Sequence, residues 1–190
     1  MWSLQDSEKE SLANASERAL VREAQKGSER AVEALFRRHW PSTHRAAFLV
    51  VRDAAAAEDI VQDAFLAALG ALDRFDRRRP FGPWLHRIAI NRAIDWTRAR
   101  KLRREVAATD GLLDSVRSDP GVDLGDSEAE LGPLLARLSP DHRAVVVLRY
   151  LLDYTPGEIA RMLELPRGTV NSRLRRALDS LGERHEEAGP

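Results

Sequence analysis

The chain has 190 residues, 30 basic and 30 acidic side chains, 43% hydrophobic residues and no cysteine. That length holds one domain or two small ones, and the missing thiols exclude disulfides, thiol switches and cysteine zinc sites. No apolar run approaches membrane-spanning length and the first residues lack a basic-then-apolar signal pattern, so a cytoplasmic protein without direct membrane insertion is expected. The zero net charge conceals segregation: Met1–Arg103 carries +5, Arg104–Glu130 carries −6 and Leu131–Pro190 carries +1.

Residues 1–17 are polar and read as a flexible N-terminus. From Arg18 onward the pattern is helical. Gly27 ends a short helix, and Ser28 can cap the next, which carries Ala31, Val32, Leu35 and Phe36 and is expected to end at Pro41. Ser42–Val51 is a further amphipathic segment. Asp53 can cap a long helix, Ala54–Leu72, with Val61, Phe65, Ala68, Leu69 and Leu72 as its apolar stripe. Arg74–Pro83 reads as a loop and Trp84–Lys101 as a helix. No strand-like alternation occurs, so an all-α fold is expected.

Residues 104–129 change character. Low hydrophobicity and like charge predict a flexible acidic linker between two small helical domains, 18–103 and 130–186. In the second, Leu131–Leu138 leads to Ser139-Pro140, which opens a helix with Val145, Val146, Leu148 and Leu152.

Thr155–Leu181 reads as a helix-turn-helix with a basic second helix. Thr155 can cap the first helix, Pro156 suits its first position and Glu158 can close a capping box. Ile159, Ala160 and Leu163 follow, and the helix breaks at Pro166. In the next helix Val170, Leu174, Ala177, Leu178 and Leu181 share one face, with Gly168, Thr169, Ser172, Arg175 and Arg176 opposite. An arginine-rich face alone does not make a DNA-binding helix. The capped helix before it, the short break and the Gly-Thr at its start give the division a recognition helix needs.

The first domain offers two charged surfaces. Asp59 and Asp63 are neighbours on one helical face, with Glu58 and Gln62 beside them. Spacing alone favours a solvated acidic face near a helix N-terminus; a docking patch for a basic partner is the alternative. Between Arg74 and Arg104 lie 11 basic residues, interleaved with Phe75, Phe81, Trp84 and Trp96. Basic residues with aromatics suit single-stranded nucleic acid, because phosphates need counter-charge and unstacked bases a flat face. Trp84, Leu85 and Ile88 read equally well as core. One domain thus suits single strands and the other duplex.

Ala57–Leu66 (AEDIVQDAFL), Phe81–Asn91 (FGPWLHRIAIN) and Pro166–Leu174 (PRGTVNSRL) resemble the extracytoplasmic-function sigma factors of bacteria. The resemblance covers about Arg18–Arg103 and Glu130–Arg184. It implies that Asp59, Gln62 and Asp63 bind core RNA polymerase. It further implies that Phe75, Arg77, Arg78, Arg79 and Phe81, with Asn91, Arg92 and Asp95 on the helix behind, take the minus-ten strand with a base flipped out. The second domain is implied to read the minus-thirty-five element. Asn171, Ser172, Arg175 and Arg176 would lie nearest base edges, Arg149, Thr169 and Arg173 would hold phosphates, and Arg167 would also contact this element. The linker would thread toward the RNA exit path, and an anti-sigma factor would hold the free, monomeric protein silent. The chain departs from the family's pattern at Asp153 and Glu164, where glycine is frequent, and at Asn171, where lysine or arginine is common.

An ordinary helix-turn-helix regulator is the alternative; it binds duplex DNA, usually as a dimer on two half-sites, and needs no basic-aromatic loop. An enzyme finds little support. His39, His44, His86, His142 and His185 show no metal-ligand spacing, and no nucleophile-and-base motif or phosphate-cradling loop appears. No catalytic residue, metal or cofactor is expected.

Overall fold

A computed structural model describes residues 16–109 and 132–182. The reading of residues 1–15 and most of the linker, 110–129, falls outside the described residues. Among those described there is no strand.

Helix α1, Glu17–Ala24, is capped by Ser16, whose hydroxyl accepts from the Ala19 amide at 3.3 Å. Helix α2 spans Glu29–Val51 behind a Ser28 cap. It continues unbroken through Pro41, so the expected end is absent. Pro41 removes one amide donor, but buried residues anchor both halves: Ala31, Leu35 and His39 before it, Thr43, Ala46 and Ala47 after it. The Thr43 hydroxyl also donates to the His39 carbonyl at 2.6 Å. Tertiary packing overrides the local signal.

Helix α3, Ala54–Gly70, begins as expected, with an Asp53 carboxylate oxygen accepting from the Ala56 amide at 3.0 Å. A 3₁₀ turn, Leu72–Arg74, follows. Helix α4 spans Phe81–Thr109. It takes in Phe81, Gly82 and Pro83, assigned to the loop, and continues past residue 103 into the start of the expected linker. Helices α2, α3 and α4 pack around Leu35, Val61, Ala64, Leu85, Ala89 and Ile90, and Leu20 and Val21 of α1 close the core. Gly82 is needed at a close approach, because a Cβ there would lie 3.1 Å from the His39 ring.

The second domain opens with helix α5, 132–136. Helix α6, Pro140–Val146, is capped by Ser139 and continues as one π turn, Val147–Leu151. Helices α7, Pro156–Met162, and α8, Arg167–Gly182, form the helix-turn-helix. Asp153 (φ 55°) and Glu164 (φ 54°) both adopt the left-handed conformation, as does Arg52 (φ 57°) at the end of α2. Each costs about 1–2 kcal/mol for a residue with a Cβ. The expected glycine positions therefore keep their backbone shape without glycine.

The two domains pack together, which their sequences did not announce. Arg143, 7% exposed, donates from α6 to the Val50 carbonyl at the end of α2 at 2.6 Å. Arg52 donates to the Gly132 carbonyl. Along α4, His86 meets Tyr154, Arg87 meets Glu164 and Arg98 meets Asp141.

Candidate nucleic-acid interface

Helix α7 starts with a complete capping box: the Thr155 hydroxyl accepts from the Glu158 amide at 3.3 Å, and a Glu158 carboxylate oxygen accepts from the Thr155 amide at 2.8 Å. The Thr155 hydroxyl and amide hold the Glu158 carboxyl below its ordinary range. Ile159, Ala160 and Met162 are buried against α8.

On α8, Val170, Leu174 and Ala177 face the core. Leu178, assigned to the same stripe, is 45% exposed; at 100° per residue it sits at the margin of the narrow buried face. Arg167, Asn171, Ser172, Arg175 and Arg176 are exposed, and Thr169 is half-buried. The Ser172 hydroxyl donates to the Thr169 carbonyl at 3.0 Å, and Arg175 lies 3.8 Å from Asp179. Arg167 and Arg176 project without an ion-pair partner among the described residues. Two residues assigned to backbone contact are engaged within the protein. Arg173 pairs with Asp141 at 3.2 Å, and Arg149 lies over the Tyr150 ring and donates to the Tyr154 carbonyl at 3.4 Å.

The first domain requires a correction. Phe75 and Phe81, assigned to strand capture, are core residues, Phe81 being 1% exposed. Their rings pack on one another and on Trp84 with centroids 4.5–5.9 Å apart. Folding buries these apolar rings because the loop is pinned at both ends. Gln25 donates to the Leu72 and Phe75 carbonyls at 2.9 and 3.1 Å, and the Phe81 amide donates to Glu17 at 2.7 Å. The span between them displays Arg77, Arg78 and Arg79 to solvent, shaped by the Arg78 amide donating to Asp76 at 3.0 Å. On α4, Arg92 and Asp95 are exposed and Asn91 is half-buried.

Asp59, Gln62 and Asp63 share one exposed strip of α3 with Glu58, to which Gln62 donates at 3.1 Å. Arg92 reaches Asp63 at 3.5 Å, so the acidic strip and the α4 surface adjoin. The reading missed Leu66, 67% exposed on this strip, and the partly exposed Phe36, whose ring packs at a tilt against Phe65 and Trp40 with centroids 4.7 and 4.8 Å away. Leu66 was legible as an apolar residue one turn after Gln62, outside the buried stripe. Among the described residues no group of three or more His, Asp or Glu side chains is arranged to hold a metal, and no helix is long and apolar enough to cross a membrane.

An α-helical domain with an exposed acidic strip, joined to a helix-turn-helix domain, suits a transcription factor that binds both a protein partner and DNA, and comparison with known proteins shows the class to be that of transcription-initiation factors. Residues 35–103 match Sigma-70 region 2 and residues 129–181 match Sigma-70, region 4. The ECF RNA polymerase sigma factor SigW of Bacillus subtilis is 30% identical over 85% of this chain and 92% of its own length. SigL of Mycobacterium tuberculosis is 34% identical over 83% of this chain and 90% of its own. The solved structure of CnrH in complex with the cytosolic domain of CnrY superposes with a TM-score of 0.68 at 29% identity, covering 91% of this chain and 99% of that one. The chain belongs to the ECF sigma factors of RNA polymerase. Its function is to direct polymerase to promoters and initiate transcription, and a free-standing helix-turn-helix regulator is not favoured.

Proposed function

We propose that the two domains divide the sigma-factor task along the surfaces described above. Asp59, Gln62 and Asp63, with Leu66 as an apolar centre, dock on a basic surface of core polymerase. Arg77, Arg78 and Arg79, with Asn91, Arg92 and Asp95, engage the minus-ten strand; Phe75 and Phe81 shape that surface from beneath. On α8, Asn171, Ser172, Arg175 and Arg176 read the minus-thirty-five duplex, with Arg167 and Thr169 at its phosphates. The observation carrying this reading is the complementary division of charge: an exposed acid strip on α3, and guanidinium groups without an ion-pair partner among the described residues at Arg167 and Arg176 of α8 and Arg77 and Arg79 of the loop. The protein acts in the cytoplasm and has no catalytic activity of its own. A separate protein holds it inactive, in the way that CnrH is bound by the cytosolic domain of CnrY.

Asp59→Arg combined with Asp63→Arg tests the docking role. The double variant is expected to keep its helical circular dichroism, because both side chains are exposed, and to lose capture by core polymerase. Wild-type affinity would return the strip to a solvated face.

A further inference from the structure

The loop that carries Arg77, Arg78 and Arg79 is held from a distance by one short helix. Between residues 71 and 80 only Leu72 and Phe75 are buried. Gln25, at the end of α1, forks its amide group to the carbonyls of those two residues, at 2.9 and 3.1 Å. The chain then turns, with the Arg79 amide donating to the Asp76 carbonyl at 2.9 Å and the Arg78 amide to the Asp76 side chain at 3.0 Å. At the far end the Phe81 amide opens α4, where the first donors have no partner within the helix. Pro80, before it, has no side chain that could accept. Glu17, at the start of α1, supplies the acceptor at 2.7 Å.

Glu17 is fixed in turn. Its second oxygen lies 2.9 Å from His39 Nε2. The His39 ring is wedged against the first turn of α4, 5.4 Å from the Phe81 ring and so near Gly82 that a Cβ there would lie 3.1 Å away. The His39 ring chiefly, and the Phe81 amide, hold the Glu17 carboxyl below its ordinary range against the effect of burial. It therefore accepts as a carboxylate at neutral pH. Gln25 follows Glu17 by rather more than two turns of α1, or about 12 Å. One rigid element thus sets both ends of the arginine turn. Both anchors lie outside residues 35–103, the segment matched to Sigma-70 region 2.

We infer that Gln25 and Glu17 are positioning residues for strand capture: they fix the arginine turn in its working shape before a base is flipped out, and touch no DNA themselves. The inference rests on the assignment of that loop to the minus-ten strand. Asp76–Pro80 adds no side chain to the core. The anchors therefore fix where three guanidinium groups stand rather than how much apolar surface is buried. A loop ordered only when the strand arrives would subtract its ordering entropy from the energy that captures the flipped base. A loop already ordered loses little on capture and holds its charges where the strand must pass.

The test uses the full chain assembled with core polymerase, on a promoter that the native holoenzyme opens. Gln25→Glu keeps the side-chain volume and sets a carboxylate against two carbonyls. Glu17→Ala removes the acceptor of the Phe81 amide, whereas Glu17→Gln keeps one. Gln25→Glu and Glu17→Ala are expected to retain core polymerase capture and closed promoter complexes. Their affinity for a single-stranded oligonucleotide of the minus-ten sequence, and their permanganate-detected opening, should each fall about tenfold. Glu17→Gln should recover most of that loss. Hydrogen exchange at the Phe81 amide of the free chain should be faster in Glu17→Ala than in the native protein or Glu17→Gln. Equal losses in capture, closed complexes and opening would mark a general folding defect and overturn the positioning role, as would native opening by both anchor variants. The triple variant Arg77→Ala, Arg78→Ala, Arg79→Ala separates this inference from the reading beneath it. If the triple variant opens normally, the loop's minus-ten assignment fails and the inference with it. If it is impaired while the anchor variants open normally, the assignment stands and the positioning inference alone fails.

Discussion

Arg143 offers the sharpest test of how the two domains are held. It is a buried cation without a carboxylate partner among the described residues: its guanidinium donates to the carbonyls of Leu135 at 2.8 Å, Val50 at 2.6 Å, Leu138 at 3.0 Å and, more weakly, Ala136 at 3.3 Å. Burial, with Arg52 nearby, pushes its pKa down to about 10, so it remains charged at neutral pH. Arg143→Met leaves three good acceptors without their donor, at about 1–3 kcal/mol each where water cannot replace it. Against this, the substitution removes the cost of burying the charge. That lowering corresponds to about 3 kcal/mol. The difference is a net loss of about 3 kcal/mol, or a fall in Tm of roughly 6–12 °C for a chain of this size. Arg143→Lys should be little better, since an ammonium keeps the burial cost and cannot fork to carbonyls on two domains. Thermal and urea unfolding of the full chain measure both variants. An unfolding midpoint within a degree of wild type for Arg143→Met would refute the bonding role.

Arg176→Ala is expected to weaken minus-thirty-five recognition by about 1–3 kcal/mol and relax sequence preference, with unchanged stability; competition between promoter variants reads it, and unchanged preference at every position removes the assignment. Asn91→Ala should leave closed promoter complexes intact and impair opening, seen as lost permanganate reactivity of unpaired thymines; normal opening refutes the role. His86 gives a pH dependence. Burial chiefly, and the neighbouring His39, hold its pKa down to about 4, while Glu17 opposes the shift. The unfolded imidazole titrates near ~6.5. As pH falls from about 6.5 toward 4 the unfolded chain binds a proton the native chain refuses, so stability falls by up to about 3 kcal/mol across that window. Urea midpoints should drop between pH 7 and 5 in the wild type and much less in His86→Gln; equal slopes would contradict the burial argument.

Caps and periodicity were the legible part of the fold. Ser28, Asp53, Ser139 and Thr155 each cap the helix their sequence context indicated, because an N-cap is a local bond between residues three apart. Pro41 misled because its cost is local while the packing that offsets it is not. Phe75 and Phe81 misled for a related reason. Their burial depends on Gln25 and Glu17, some 50 and 64 residues away, and no spacing rule links those positions. The π turn at Val147–Leu151 had no signal beyond an unbroken apolar run.

The same distinction governs the charges. A zero net charge says nothing about DNA binding until each arginine is sorted by its partner. Arg52, Arg98, Arg100, Arg143 and Arg173 are engaged by carbonyls or carboxylates of the protein itself. Arg77, Arg79, Arg167 and Arg176 are exposed and have no such partner among the described residues. Only the second group has counterions to release to a phosphate without first breaking a native contact. Arg173 and Arg98 are the intermediate case: they share the carboxylate of Asp141, and Arg98 also lies 3.9 Å from Asp95. The Arg173–Asp141 pair lies wholly within the second domain, so Arg173 must exchange a carboxylate for a phosphate before it can hold DNA.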